Sequence, residues 1–311
     1  MDFELSEDQQ AVVEALEALL AQHAGPERAI ALATKAEYDG GLERALSEAG
    51  FFELASGPDT GPLEAALLVE VAARAAGLAA VAARALVWPA LREAQAPGPV
   101  ALAVAGSQAP VRFAAHAGVL IVSDGEVAKL ATLEPGEVQA VRSNSGYPMG
   151  RIPGPVFARA EPLGAGSGGA LRRWWRVALA AEIAGTLRAA LDVTLEYVKR
   201  RRQFGRAIGS FQAVQHRLAQ ASVLVEAARW LALEAADLGA PEEAAAVAAA
   251  HASAAAKRIF DETHQFSGAM GFTREHALHV WSMRLQALRL ELGGVAAHRR
   301  AVAAARWSPA P

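Results

Sequence analysis

The sequence contains no cysteine. That excludes disulfides, thiolate metal sites and a cysteine nucleophile, and it fits a cytosolic protein. Aromatic residues are scarce, at 6% of 311 positions. Neither sign of charge dominates: 30 basic residues face 33 acidic ones, for a formal net charge of −3. With the basic residues dispersed along the chain, nucleic acid is excluded as the main partner. No uninterrupted apolar run reaches the ~18 residues that a membrane span needs. The opening stretch MDFELSEDQQ is acidic and polar rather than a secretory signal, so a cytoplasmic location is expected.

What the chain does have is alanine, leucine and valine. Hydrophobic residues make up 53% of it, enough for a sizeable core shared by two or three domains. Ser6 and Gln9 have capping-box spacing, and Val12, Val13, Leu16, Leu19 and Leu20 then recur at helical intervals. Further helices are expected over 42–49, from Pro62 onward, and through LAAVAARALVWPALREAQ, which ends before the Pro/Gly stretch at 96–99. The texture then changes to short β-branched runs. Asp124-Gly125 marks a hairpin and Glu134-Pro135-Gly136 a turn. The segment GRIPGPVFARAEPLGAGSGG reads as a linker at its end. Long helices are expected over 172–202, 210–238 and 241–266, with a fourth from 274 to 306 interrupted at Gly293-Gly294. In the second of these, Val214, Leu218, Ala221, Val225, Ala228 and Ala235 trace a narrow bundle seam. The fold class is therefore mostly α with a small β middle domain, an α–β–α chain ending in a four-helix bundle. The domains are expected at 1–96, 97–168 and 169–311.

One stretch stands apart. RRRQFGRAIGSFQAVQHRLAQ, residues 200–220, holds five arginines, four glutamines and two phenylalanines. Arg201 near a helix end presents a guanidinium fork suited to phosphate oxygens. Gly205 lets the backbone turn tightly, Phe204 offers an apolar face, and Gln212 and Gln265 each carry a donor and an acceptor. Arginines at a helix C-terminus are more commonly a solvated, dipole-favoured end, and glutamines on a helix are commonly surface.

RRQFGRAIGSFQAVQHRLA, with HQFSGAMGFTREHALH further on, resembles the acyl-CoA dehydrogenase family, which carries Arg-x-x-Phe-Gly, Ile, Phe-Gln and Leu-Ala at this spacing and a Gln-x-x-Gly-Gly-x-Gly-Phe-x-x-Glu segment. FELSEDQQAVVEAL is similar more weakly. The resemblance implies FAD held mainly by a neighbouring subunit. Arg201, Phe204 and Gln212 would contact its pyrophosphate and adenosine half, beside Gln265, Gly268 and Ala269. Ala269 stands where the family has a second glycine.

The same resemblance exposes departures. The family reaction removes a proton alpha to the thioester and a hydride from the beta carbon, and it needs a carboxylate base. At one family position for that base this chain has Trp175, before Arg176. At the other it has Gly293. Glu291 is close, but two residues along a helix is a turn of about 200°, and Glu182 is no better placed. The β region lacks the family's Thr-Glu-Pro-x-Ala-Gly-Ser-Asp stretch and Trp-Ile-Thr strand, which cover the flavin ring. His216, His251, His276, His279 and His298 form no convincing metal set, and Trp174 and Trp175 suit bundle packing.

The first expectation is a partner subunit of a heteromeric acyl-CoA dehydrogenase. Such short members occur in actinobacterial two-subunit enzymes linked to steroid side-chain degradation. This chain would complete the FAD site of a full-length partner in an α2β2 heterotetramer, with an acyl-CoA substrate and electron-transfer flavoprotein as acceptor. The alternatives are a self-sufficient homo-oligomeric enzyme whose base is Glu291 or Glu182, and a non-enzymatic assembly scaffold.

Overall fold

A computed structural model describes residues 4–307. The start of the FELSEDQQ match, at Phe3, and the end of the last expected domain, at 308–311, lie outside the described residues. The first helices are α1 (Glu7–His23), α2 (Pro26–Lys35), α3 (Gly40–Glu48) and α4 (Pro62–Arg74). The Ser6 hydroxyl accepts from the Gln9 amide while the Gln9 side chain accepts from the Ser6 amide, so the capping box closes both ways. Helix α2 has no counterpart in the sequence reading. It is ten residues long, and a single residue, Ala29, is buried along it.

The stretch from 78 to 95 is less helical than expected. It holds a π-helical turn at Ala83–Val87 and then breaks into turns around Pro89, whose ring cannot sit in a helix interior. Strands follow: β1 (Val100–Val104), β2 (Val111–Arg112), β3 (Val119–Asp124), β4 (Val127–Thr132), β5 (Gln139–Val141) and β6 (Met149–Arg151). A short helix α5 (Gly154–Arg159) and strand β7 (Glu161–Pro162) complete this part. They make a four-stranded sheet ordered β1-β3-β4-β7 and a three-stranded sheet ordered β2-β6-β5. The β3–β4 hairpin expected at Asp124-Gly125 forms one residue later: Asp124 pairs with Val127, and the loop is Gly125-Glu126, with Gly125 at φ +64°. The pairing of β1 with β3 is parallel, which the sequence did not announce.

The helices that follow are α6 (Ser167–Arg200), α7 (Gln212–Asp237), α8 (Glu242–Ser267), α9 (Leu278–Leu288) and α10 (Gly294–Trp307). The expected flexible end of the linker is corrected here: Ser167, Gly168 and Gly169 form the first turn of α6. A Cβ on Gly168 would lie 2.3 Å from the Gly125 carbonyl, so that glycine serves close packing of α6 on the β3–β4 turn. Gly185 plays the same part against α4, where a Cβ would come within 1.9 Å of the Glu70 carbonyl. Alanines line α8, and small side chains let α6, α7 and α8 approach closely. Along the α7 seam Leu218, Ala221, Val225, Ala228 and Ala235 are buried, Val214 is half-buried, and Ala232 fills the weak step. Among the described residues, no helix is long and apolar enough to cross a membrane.

Candidate functional site

The segment between α6 and α7 is a tight hairpin. β8 (Arg202–Gln203) pairs with β9 (Arg206–Ala207) across the two-residue loop Phe204-Gly205. Both loop residues have positive φ, +53° and +79°, the signature of a type I′ turn. Glycine takes that conformation freely; a phenylalanine does so against a steric cost. The result is a ring held out in solvent, 90% exposed, edge-on to Phe211 at 6.1 Å between centroids.

The neighbouring elements meet at this end of the bundle. Tyr197 on the last turns of α6 lies 5.3 Å from the His276 ring, which precedes α9. Arg217 on α7 pairs with Glu262 on α8 at 2.5 Å and lies over the Phe266 ring at 4.8 Å. Arg201, Phe204, Gln212, Gln265, Gly268 and Ala269 are all exposed. Arg201, Gln212 and Gln265 spend no side-chain hydrogen bond or ion pair within the chain among the described residues. Gly268 ends α8 at φ +55°, ψ −140°, a conformation open to glycine, and nothing lies within 4 Å of where a Cβ would be. Unspent donors around an open backbone are what an external anionic, nucleotide-like group requires, and the residues present fit the phosphate-bearing half of a dinucleotide.

The second location is a buried cluster between the β region and the helices. Arg112, the last residue of β2, donates to both oxygens of Glu182 on α6, at 2.7 and 3.1 Å, and to Glu291 at 2.5 Å. Trp175 Nε1 donates to the other Glu291 oxygen at 3.0 Å, and the Tyr147 hydroxyl to Glu182 at 2.8 Å. Arg112 and Arg284 lie over the Tyr147 ring, 4.7 and 5.0 Å from its centroid. Burial pulls the Arg112 guanidinium down, but Glu182 and Glu291 more than offset this and leave it raised well above its ordinary value. Burial, with no carboxylate in direct contact, lowers Arg284. Burial first, and then Glu182, raises the Tyr147 phenol. Two cations and two anions balance here. The cavity left beside them, walled by Ala79, Ala83, Leu102, Trp175 and Glu182, is about 40 Å³, room for a few waters.

Sequence reading singled out the bundle end and missed Arg112, Tyr147 and Arg284 as a cluster. An arginine between Val111 and Phe113 was the one available signal: a charge in an apolar strand asks for buried partners. Glu291 and Glu182, both weighed as bases, are brought together by that arginine. Leu292 and Gly293 have φ +51° and +85°, so the chain kinks there and turns Glu291 inward. Of the histidines, His216 is exposed, His251 meets the Leu224 carbonyl and His298 is fully buried. Among the described residues no three His, Cys, Asp or Glu side chains group to hold a metal.

Residues 173–306 match the acyl-CoA dehydrogenase C-terminal domain. The chain is 41% identical over 108 residues to the acyl-CoA dehydrogenase IpdE2 of Mycobacterium tuberculosis, covering 35% of this chain and 34% of that protein. The match thus spans about a third of that curated relative's length. Among solved structures, butyryl-CoA dehydrogenase from Megasphaera elsdenii aligns with TM-score 0.80 at 20% identity over 98% of this chain and 99% of that one. The ChsE4-ChsE5 complex from Mycobacterium tuberculosis aligns with TM-score 0.77 at 22% identity over the whole of both chains.

Proposed function

We propose that this chain, whose residues 173–306 match the acyl-CoA dehydrogenase C-terminal domain and whose fold aligns with butyryl-CoA dehydrogenase, is one subunit of a heteromeric, FAD-dependent acyl-CoA dehydrogenase. Its bundle end completes a flavin site held mainly by a full-length partner in an α2β2 assembly. The partner supplies the carboxylate base. The carrying observation is the contrast between the two locations. The interior cavity of about 40 Å³ is plugged by Arg112 and its two glutamates, while the unspent donors face outward.

In this reading FAD, when bound, supplies the hydride acceptor for desaturation of an acyl-CoA thioester. This chain's residues bind and orient. Arg201 would neutralise the pyrophosphate, Gln212 and Gln265 would hydrogen-bond the nucleotide, and Phe204 would shield it from water. Gly268 and Ala269 would let the backbone come close. Electron-transfer flavoprotein is the acceptor proposed for the assembly. A steroid side-chain CoA ester is the proposed substrate class, favoured by the likeness to a two-protein complex and to an actinobacterial relative. Against a self-sufficient enzyme stands Arg112, which occupies Glu182 and Glu291 together. Against a bare scaffold stand the unspent donors.

The test is reconstitution. The purified chain should be colourless, and mixing it with its full-length partner should yield bound flavin and dehydrogenase activity. Arg201→Ala should lower the flavin content of the assembly by about tenfold or more at limiting FAD, the loss of one charge-assisted contact. A yellow, active lone chain refutes the proposal, and an Arg201→Ala complex with full flavin content refutes the residue assignment.

A further inference from the structure

Beneath the bundle end, between α2, the loop 143–146 and the α8–α9 connection, lies a cavity of about 340 Å³, whose lining includes none of Arg201, Phe204, Gln212, Gln265, Gly268 and Ala269. Its lining has a one-sided chemistry. Arginines and histidines are present, and no carboxylate is. Ile30, Val280 and Met283 supply apolar wall. The His264 ring continues it, 4.2 Å from Phe260 and 5.0 Å from Phe272 between centroids.

Three side chains in this wall carry polar atoms without a partner: both ring nitrogens of His264, the Ser282 hydroxyl and Arg284 Nε. They are buried to 8%, 0% and 2% exposure. Buried polar atoms are nearly always hydrogen-bonded, so these three leave donors and acceptors in one wall open to a bound group or an ordered water. Burial also holds His264 below its usual titration range, so the ring is neutral and can both donate and accept. Towards solvent stands Arg274, exposed and with no ion pair among the described residues. The cavity thus has a free cation at its rim, an aromatic wall, and unmatched polar groups within.

We propose that this cavity binds a small ring-bearing carboxylate with a hydroxyl or keto group at its far end. The carboxylate meets Arg274, the ring lies along His264 and Phe272, and the inner oxygen engages Ser282, His264 or Arg284. The proposal does not rest on the flavin reading. Binding is measured on the lone chain, where neither partner nor FAD is needed, so either idea can fail without the other.

The probes are 4-hydroxybenzoate, 4-hydroxyphenylacetate and 4-hydroxycyclohexanecarboxylate, each with its methyl ester, titrated calorimetrically into the full chain. At least one acid should bind saturably at one site per chain. Its ester, and the Arg274→Gln variant with the acid, should bind about tenfold or more weakly. Ala33→Trp, which fills the cavity from α2, should abolish binding while circular dichroism reports an unchanged fold; Ile30→Trp replaces it if that variant does not fold. No saturable binding across the panel, equal affinity for acid and ester, or binding that survives filling of the cavity overturns the proposal. Adenosine monophosphate displacing the acid overturns it too, since the cavity would then belong to the nucleotide site.

Discussion

Replacing Arg112 by methionine tests the buried cluster on which the proposed subunit role rests. The arginine is 14% exposed, and it faces Glu182 and Glu291, whose side chains are 11% and 18% exposed. Without it Glu182 retains one donor, the Tyr147 hydroxyl, and Glu291 retains Trp175 Nε1. Two nearly buried carboxylates then face one another with Arg284 the nearest cation of the cluster. Breaking a buried pair by deleting one partner costs about 3–5 kcal/mol, because the remaining charge is uncompensated. Against a total stability of about 5–15 kcal/mol, that is a large fraction. With a urea slope near the upper end of about 1–3 kcal/mol/M, the midpoint should fall by about 1 M or more.

The control is the neutral triple variant Arg112→Met, Glu182→Gln, Glu291→Gln. Removing both signs of charge together should recover most of the loss, since an ion pair and a well-packed neutral set differ little in net stability. Urea denaturation followed by far-UV circular dichroism reads both variants. The reasoning is refuted if Arg112→Met shifts the midpoint by less than about 0.3 M, or if the triple variant is no more stable than the single one. It is refuted differently if Arg112→Met alone binds flavin and oxidises an acyl-CoA, for then the plug would be covering a working site.

Restoring a carboxylate by Gly293→Glu should give the lone chain no dehydrogenase activity in an acyl-CoA-dependent dye-reduction assay, because the backbone sits at φ +85° and a Cβ would lie 2.8 Å from that of Ala297. Gly185→Ala should destabilise the chain by about 1–3 kcal/mol or more in urea, since α4 and α6 must part to admit the methyl group. His298 is fully buried and held down to about 4, by burial first and by the Arg176 charge second. Its unfolded form binds a proton more readily, so stability should fall as pH drops below about 6.5 and level off near pH 4, by up to ~3 kcal/mol. His298→Leu should flatten that part of the pH–stability curve.

The long helices were legible because their signals are local and repeated: a capping box at Ser6, Pro62 in a first turn, a seam of small and branched residues along α7. The parallel β1–β3 pairing was not, because it joins residues nineteen apart across a connection with no pattern of its own. The glycines at 166–169 misled for a related reason. Two requirements, freedom of the chain and lack of space for a side chain, select the same residue. Only the position of the Gly125 carbonyl beside Gly168 separates them.

The site divides along the same line. Arg201, Phe204, Gln212 and Gln265 lie in two short motifs whose residue types carry their chemistry openly, and the fold brings both motifs to one end of the bundle. Phe204 went further than the sequence allowed: a bulky ring in a type I′ turn is held out at 90% exposure, against its own backbone preference. Such strain persists where surrounding structure or function enforces it. The Arg112 cluster is the opposite case. Its members come from positions 112, 147, 175, 182, 284 and 291, too far apart for any local pattern. Glu182 lies in the apolar run VALAAEIAG and Glu291 near Gly293, but nothing in the sequence joins the two. What distinguishes them is a shared buried cation, and a carboxylate held by a cation is poorly placed to abstract a proton, because Arg112 stabilises the ionised form that the step would have to neutralise.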